Sequence, residues 1–251
     1  MGLARILSKL GYCSRSKAVE LVRTGHVTVN GKPCRNAETI VSGRHDRIAV
    51  DGKAVEPGRK IYLMLNKPRG IVTTASDEKG RETVYALLNT GSRAANLSDE
   101  GLPWVAPVGR LDKASEGLLL LTNDSAWGAR IAAPETHLHK TYHVQIATVA
   151  DERFIQDLVR GVPTKEGELL RAKRARQLRA GQKNCWLEIV LDEGKNRQIR
   201  RMMDGLEIAV LRLIRVAVGP LQLGDLAKGE HRPLTPQEKR MLDRTLREKS
   251  S

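Results

Sequence analysis

The sequence predicts an α+β protein in two parts, a small αα-ββ module over residues 1–57 and a larger strand-rich domain over 58–251. Three observations predict it. Near the N-terminus apolar residues recur at helical spacing. Two short β-branched pieces with Asn-Gly and Asp-Gly dipeptides follow. Beyond Glu56-Pro57-Gly58, segments that alternate or run apolar are separated by helical patterns, the mark of an α+β domain.

In order, Leu3, Ile6, Leu7 and Leu10 follow helical spacing and Gly11 ends the segment. Ser14 is placed to cap a second helix whose apolar face is Ala18, Leu21 and Val22, with Gly25 as its stop. That packing turns Arg15, Lys17 and Arg23 away from the core. VTVNGKP and IAVDGKAV read as hairpins around type I′ turns at Asn30-Gly31 and Asp51-Gly52. The stretch Leu3–Val55 resembles the small RNA-binding module named after a ribosomal small-subunit protein, which presents a basic helix and strand edge to RNA. In the second part, IYLMLNKPRG, GIVTT, KTYHVQI and NCWLEIVLDEG read as strands. Helices are expected at Ser115–Leu121 or shortly after, at Asp151–Arg160, at Asn196–Met203 and, charged and terminal, at Pro236–Lys249. Residues Asn89–Trp104 read as a long exposed loop.

Composition narrows the function. The net charge of +14 comes from 43 basic and 29 acidic residues. Residues 1–60 hold 12 Lys/Arg and 5 Asp/Glu, an excess of 12 − 5 = +7, half of the total. Such an excess on patterned elements points to a polyanionic partner, because each neutralised phosphate releases a counterion. No apolar run approaches a bilayer span, and MGLARILSKLGYCSR lacks the apolar core and cleavage site of a signal peptide. Ile6 stands where a myristoylation signal needs Ser or Thr. A soluble cytoplasmic chain is expected, with no membrane contact. Cys13, Cys34 and Cys185 are odd in number and far apart, so neither a disulfide nor a zinc site is expected. His137, His139 and His143 crowd one segment at spacing that suits a strand face better than a metal helix.

The stretch PVGRLDKASEGLLLLTND sets Asp112 just before four leucines. Locally Asp112 reads as a helix cap or first-turn acid, worth about 1 kcal/mol. Glu116, four residues on, would share its helix face. A glycosidase pair is disfavoured, since that chemistry sets its acids on opposite sides of a sugar. A metal site from Asp112, Glu116 and Asp124 lacks further ligands, and none is expected.

GRLDxxxxGLLLLTND resembles the active-site signature of pseudouridine synthases, in the form of the RsuA/RluB class, which modifies ribosomal RNA. LNKPRG, KTYHV, LDEGKNRQIRRMM and LRLIRVAVGPLQLGDL agree and come in order, so the resemblance spans nearly the whole chain. It implies a mixed, mainly antiparallel catalytic sheet behind the RNA-binding module. It also implies roles: Asp112 as the nucleophilic aspartate, Tyr142 packing on the target base, Arg200 pairing with the aspartate, and Leu213 packing on the uracil. Ser115 stands where the family more often has Thr, and Ser125 where Gly is common. Neither touches the chemistry.

That chemistry breaks the N1–C1′ bond, turns the freed uracil and rejoins it through C5. It needs a carboxylate that attacks or stabilises and then leaves, an arginine to keep it ionised, and a base flipped from its stack. No cofactor is implied. Lys67, Arg69 and Arg110 are expected to grip flanking phosphates, Arg197 and Arg201 to bind backbone. RAKRARQLRAGQK, Arg171–Lys183, reads either as an RNA-facing edge or as a solvated hairpin. With aromatics at 3%, recognition is expected to rest on phosphates and folded RNA shape rather than on stacking. The leading expectation is a monomeric pseudouridine synthase acting on ribosomal RNA or a ribosome-assembly intermediate, with GKNRQIRRM leaning to the large subunit. The alternatives are a catalytically silent RNA-binding assembly factor and a metal-dependent nuclease. An intact Asp112, Tyr142 and Arg200 speaks against the first.

Overall fold

A computed structural model describes residues 1–43, 45–74, 77, 79–89 and 103–248. Helices α1 (Leu3–Lys9) and α2 (Arg15–Arg23) pack across Leu3, Leu7, Ala18 and Val22. Ser14 Oγ caps α2 by accepting from the Lys17 amide at 3.2 Å. Strands β1 (Val27–Val29) and β2 (Lys32–Pro33) form a hairpin, as do β3 (Ile48–Val50) and β4 (Lys53–Ala54), and β1 pairs β3 to close a four-stranded sheet. Asn30, Gly31, Asp51 and Gly52 all have positive φ, as type I′ turns require.

The second sheet begins with β5 (Tyr62–Lys67) and, after α3 (Val84–Asn89), continues through β6 (Ala106–Val108) and β7 (Glu116–Thr122). Helix α4 (Ser125–Ala132) leads to β8 (Lys140–Ile146) and α5 (Glu152–Arg160). A two-stranded hairpin, β9 (Val162–Pro163) with β10 (Leu169–Leu170), precedes β11 (Arg174–Ala180) and β12 (Cys185–Leu191). Then come α6 (Gln198–Gly205), β13 (Val210–Val218), β14 (Leu221–Gln222), β15 (His231–Pro233) and α7 (Pro236–Glu248). The nine-stranded sheet runs β11-β12-β8-β13-β7-β5-β15, with β14 beside β13 and β6 beside β7. Every pairing in it is antiparallel except β7 with β13. The expected loop Asn89–Trp104 falls mostly outside the described residues, as does the end of the terminal helix at Lys249.

The helix expected at Ser115–Leu121 or shortly after comes after, as α4, while Leu118–Leu121 lie in β7. The cap expected of Asp112 is overturned: the capping acid is Asp124, whose carboxylate accepts from the Trp127 amide at the start of α4. All seven residues of β7 are buried because alternate leucines enter different cores. Leu118 and Leu120 pack with Trp127 and Leu242, Leu119 and Leu121 with Leu63 and Val84. Each contributes about 1.5–3 kcal/mol of burial. A strand buried on both faces has no alternation to reveal it.

The split in the sheet makes the cavity. Glu116 and Gly117 pair with Ile214 and Arg215 of β13, but Leu120 to Thr122 pair with β6 instead. Strand β7 therefore leaves β13 after two residues, and a gap opens between them. Gly117 permits this approach. Its φ is +102°, and a Cβ there would lie 2.2 Å from the Arg215 carbonyl oxygen.

Candidate active site

Asp112 stands on the turn that feeds β7, and five consecutive carbonyls of that turn are occupied. Thr73 Oγ1 donates to Leu111 at 2.8 Å, the Ser115 amide to Asp112 at 2.9 Å, and the Gly70 amide to Lys113 at 2.7 Å. Arg200 Nη2 donates to Ala114 at 3.0 Å. Lys67 Nζ donates to Ser115 at 2.9 Å, to Asp112 at 3.2 Å and to Pro68 at 3.0 Å. The backbone is thus held from both sides, and the Asp112 side chain remains 36% exposed at the cavity.

The cavity has a volume of about 300 Å³ and lies in the gap between β7 and β13. Tyr142 on β8 and Leu213 on β13 both line it with Asp112. Tyr142 pairs in register with Arg215, so the two side chains share a face. Arg215 is 5% exposed, lines the same cavity and donates from Nε to the Leu118 carbonyl at 2.7 Å. Sequence reading missed it. Its signal was a cation two residues from Leu213 in an alternating strand, hence on the same side.

The arginines divide the work differently from the expectation. Arg197, not Arg200, faces the carboxylate, with Nη1 3.6 Å from Asp112 Oδ2. Arg197 is held at φ +49°, a left-handed conformation uncommon for a side chain of this kind, just before α6. Arg200 instead holds the turn backbone, and its buried Nε has no hydrogen-bond partner. Burial, and then repulsion from Arg197, lower the Arg200 pKa, while the Asp112 charge acts against them.

Lys67 and Arg201 do not present cations to a phosphate. Lys67 is fully buried under the turn, and desolvation lowers its pKa to about 8 against the raising effect of Asp112 and Glu116. Arg201 is paired with Glu166 at 3.3 Å and Glu168 at 2.8 Å, tying α6 to the β9–β10 connection. Arg110 is exposed at the cavity, and exposed Arg69 reaches the Leu211 carbonyl at 3.5 Å. Arg15 and Arg23 are exposed on α2, with Lys17 beside them in an ion pair with Glu20. Glu116 is not an acid partner for Asp112. It pairs in register with Ile214, on the sheet face opposite Tyr142 and Arg215. Burial would raise its pKa, but hydrogen bonds from Arg212 and Lys228 outweigh that and hold it below the ordinary value.

Among the described residues no group of three or more His, Cys, Asp or Glu gathers to hold a metal, and no helix is long and apolar enough to cross a membrane. The family profile described as RNA pseudouridylate synthase matches residues 61–204, more than half of the chain. The chain belongs to the RNA pseudouridylate synthase family. An S4 domain matches residues 1–48. The chain is 34% identical to a ribosomal large subunit pseudouridine synthase B of Bacillus subtilis over 241 residues, 96% of this chain and 94% of the relative. It is 35% identical to an uncharacterized RNA pseudouridine synthase of Aquifex aeolicus over 235 residues, 93% of this chain and 90% of that one. A crystal structure of a pseudouridylate synthase matches with a TM-score of 0.64 at 27% identity, covering 96% of this chain and 99% of the other.

For a pseudouridine synthase the arrangement has a direct reading. One cavity offers a partly exposed carboxylate on a fixed backbone, a tyrosine ring, an aliphatic wall at Leu213 and a buried cation at Arg215. Such a pocket can take a planar base that has left its stack and present a carboxylate to it.

Proposed function

We propose that the chain converts one uridine, or very few, of a ribosomal RNA into pseudouridine, with Asp112 as the catalytic carboxylate. The observation that carries this reading is the clamped turn. With all five carbonyls from Leu111 to Ser115 engaged, the backbone is fixed and the Asp112 carboxylate stands at the cavity beside Arg197. Fixing a reacting group in this way removes the entropy of orienting it.

The carboxylate attacks or stabilises the ribose or base, the N1–C1′ bond breaks, and the uracil turns and rejoins through C5. The C5 proton leaves, N1 takes one up, and the carboxylate departs unchanged. Arg197 lies against the Asp112 carboxylate and orients it in the cavity. Arg200 and Lys67 act through the backbone they hold. Tyr142 offers a stacking surface and Leu213 an apolar one. The module over 1–57 supplies phosphate contacts through Arg15, Lys17 and Arg23, with Arg69 and Arg110 nearer the cavity. The wording GKNRQIRRM and the name of the Bacillus subtilis relative favour the large-subunit RNA, free or in an assembly intermediate. The enzyme acts as a monomer in the cytoplasm.

Pseudouridine mapping on ribosomal RNA from cells lacking the protein tests this. Wild type should restore the lost site and Asp112→Asn should not, although it binds RNA with near-normal affinity. Restoration by Asp112→Asn would overturn the assignment.

A further inference from the structure

The sheet face opposite the cavity is open and basic. Residues paired across strands point to the same side. Register therefore places Arg179, Trp186, Gln145 and Arg212 in one row, and Arg176, Glu188, His143 and Ile214 in the next. Arg174, Arg176 and Arg179 are exposed, and Trp186, His143 and Arg212 are partly so. The row after these, Ala175, Ile189, Tyr142 and Arg215, points the other way, toward the core and the cavity.

Charge on this face is unbalanced. Four arginines share it with Glu188 and, at its border, the buried Glu116. Arg174 and Arg176 lie 4.0 and 2.8 Å from Glu188, while Arg212 and Lys228 neutralise Glu116. Arginines on β11 alone would be accounted for as protection of an open sheet edge. Arg212, however, stands three strands in, and its guanidinium carbon lies 5.5 Å from the centre of the Trp186 ring, with that of Arg179 at 5.2 Å. A tryptophan held between two cations on a largely polar, solvent-facing sheet is a surface for phosphate and stacked base together.

We propose that this face is a second RNA-binding surface, taking the backbone of RNA that flanks the target, with Trp186 as its stacking residue. It rests on the substrate reading above and adds a hold that a short target cannot use. RNA that only fills the cavity sits on the far side of the sheet.

Two variants test it, Arg174→Ala/Arg179→Ala and Trp186→Ala, each checked for native circular dichroism. Affinity is measured for a long protein-free ribosomal RNA transcript, and turnover for a short stem-loop carrying the mapped uridine. Both variants should bind the long transcript about tenfold more weakly with kcat/KM on the stem-loop unchanged. The double variant should also lower the slope of log affinity against log salt by roughly 1.5, two phosphates at about 0.7–0.9 each. Wild-type affinity and slope in the variants would overturn the proposal. So would a loss seen with an assembly particle but not with protein-free RNA, which would place a protein on this face. If wild type modifies no ribosomal transcript, the substrate reading fails instead, and the binding comparison on any long RNA still decides the face.

Discussion

Lys67 is enclosed completely yet is expected to carry its proton at neutral pH, because three carbonyls accept from it and its pKa is lowered only to about 8. As pH rises past that value one donor is lost and the Asp112 turn loosens. We expect kcat/KM to fall on the alkaline side with an apparent pKa near 8, and Lys67→Met to reduce kcat by about 10- to 100-fold with RNA affinity preserved. Stability should move oppositely. The folded pKa lies below the unfolded one, about 10.4, so the unfolded chain binds more protons between them and this group's contribution to stability rises with pH across that window. An alkaline limb that survives in Lys67→Met would assign the titration elsewhere. This residue also marks what the sequence could not disclose. LNKPRG shows a cation beside a proline and a glycine, which is equally the look of an exposed phosphate loop. Enclosure comes from contacts with Asp112 and Ser115, more than forty positions away. Similarly, the left-handed turn that aims Arg197 at the carboxylate has no periodicity to betray it.

Among the elements, β7 decides the architecture and Gly117 decides β7. Gly117→Ala would place a methyl group 2.2 Å from the Arg215 carbonyl at a φ of +102°. A loss of about 2–4 kcal/mol is expected in denaturant unfolding, since neither strand can move without dislodging the other. A loss under about 0.5 kcal/mol would mean that the parallel junction yields easily. The small elements were legible because their signals are local. Ser14 caps α2 through its own hydroxyl, and Asn30-Gly31 and Asp51-Gly52 carry the positive φ values that their residue types favour. Strand β7 was not legible, since an unbroken apolar run suits a buried helix and a doubly covered strand alike. Its leucines divide between two cores that are themselves assembled from distant segments.

For the molecule as a whole, half of the net charge lies in the first sixty residues, apart from the reaction centre. RNA affinity should fall steeply with salt. Arg15→Ala/Arg23→Ala should weaken binding and lower the salt slope by roughly 1.5, at about 0.7–0.9 for each phosphate no longer neutralised. At saturating RNA kcat should stay unchanged; a fall in kcat would mean that the module also positions the target. The same division has a consequence for synthesis. The four-stranded sheet of the module is complete at Ala54. The reaction centre instead waits for Arg200 to reach Ala114 and for β13, which begins at Val210, to arrive beside β7. N-terminal domains fold first as the chain emerges, and pairings of long sequence separation form late. On the proposed roles, a chain still on the ribosome acquires its hold on RNA well before it can alter any nucleotide, and one cut short before Val210 should bind RNA without modifying it.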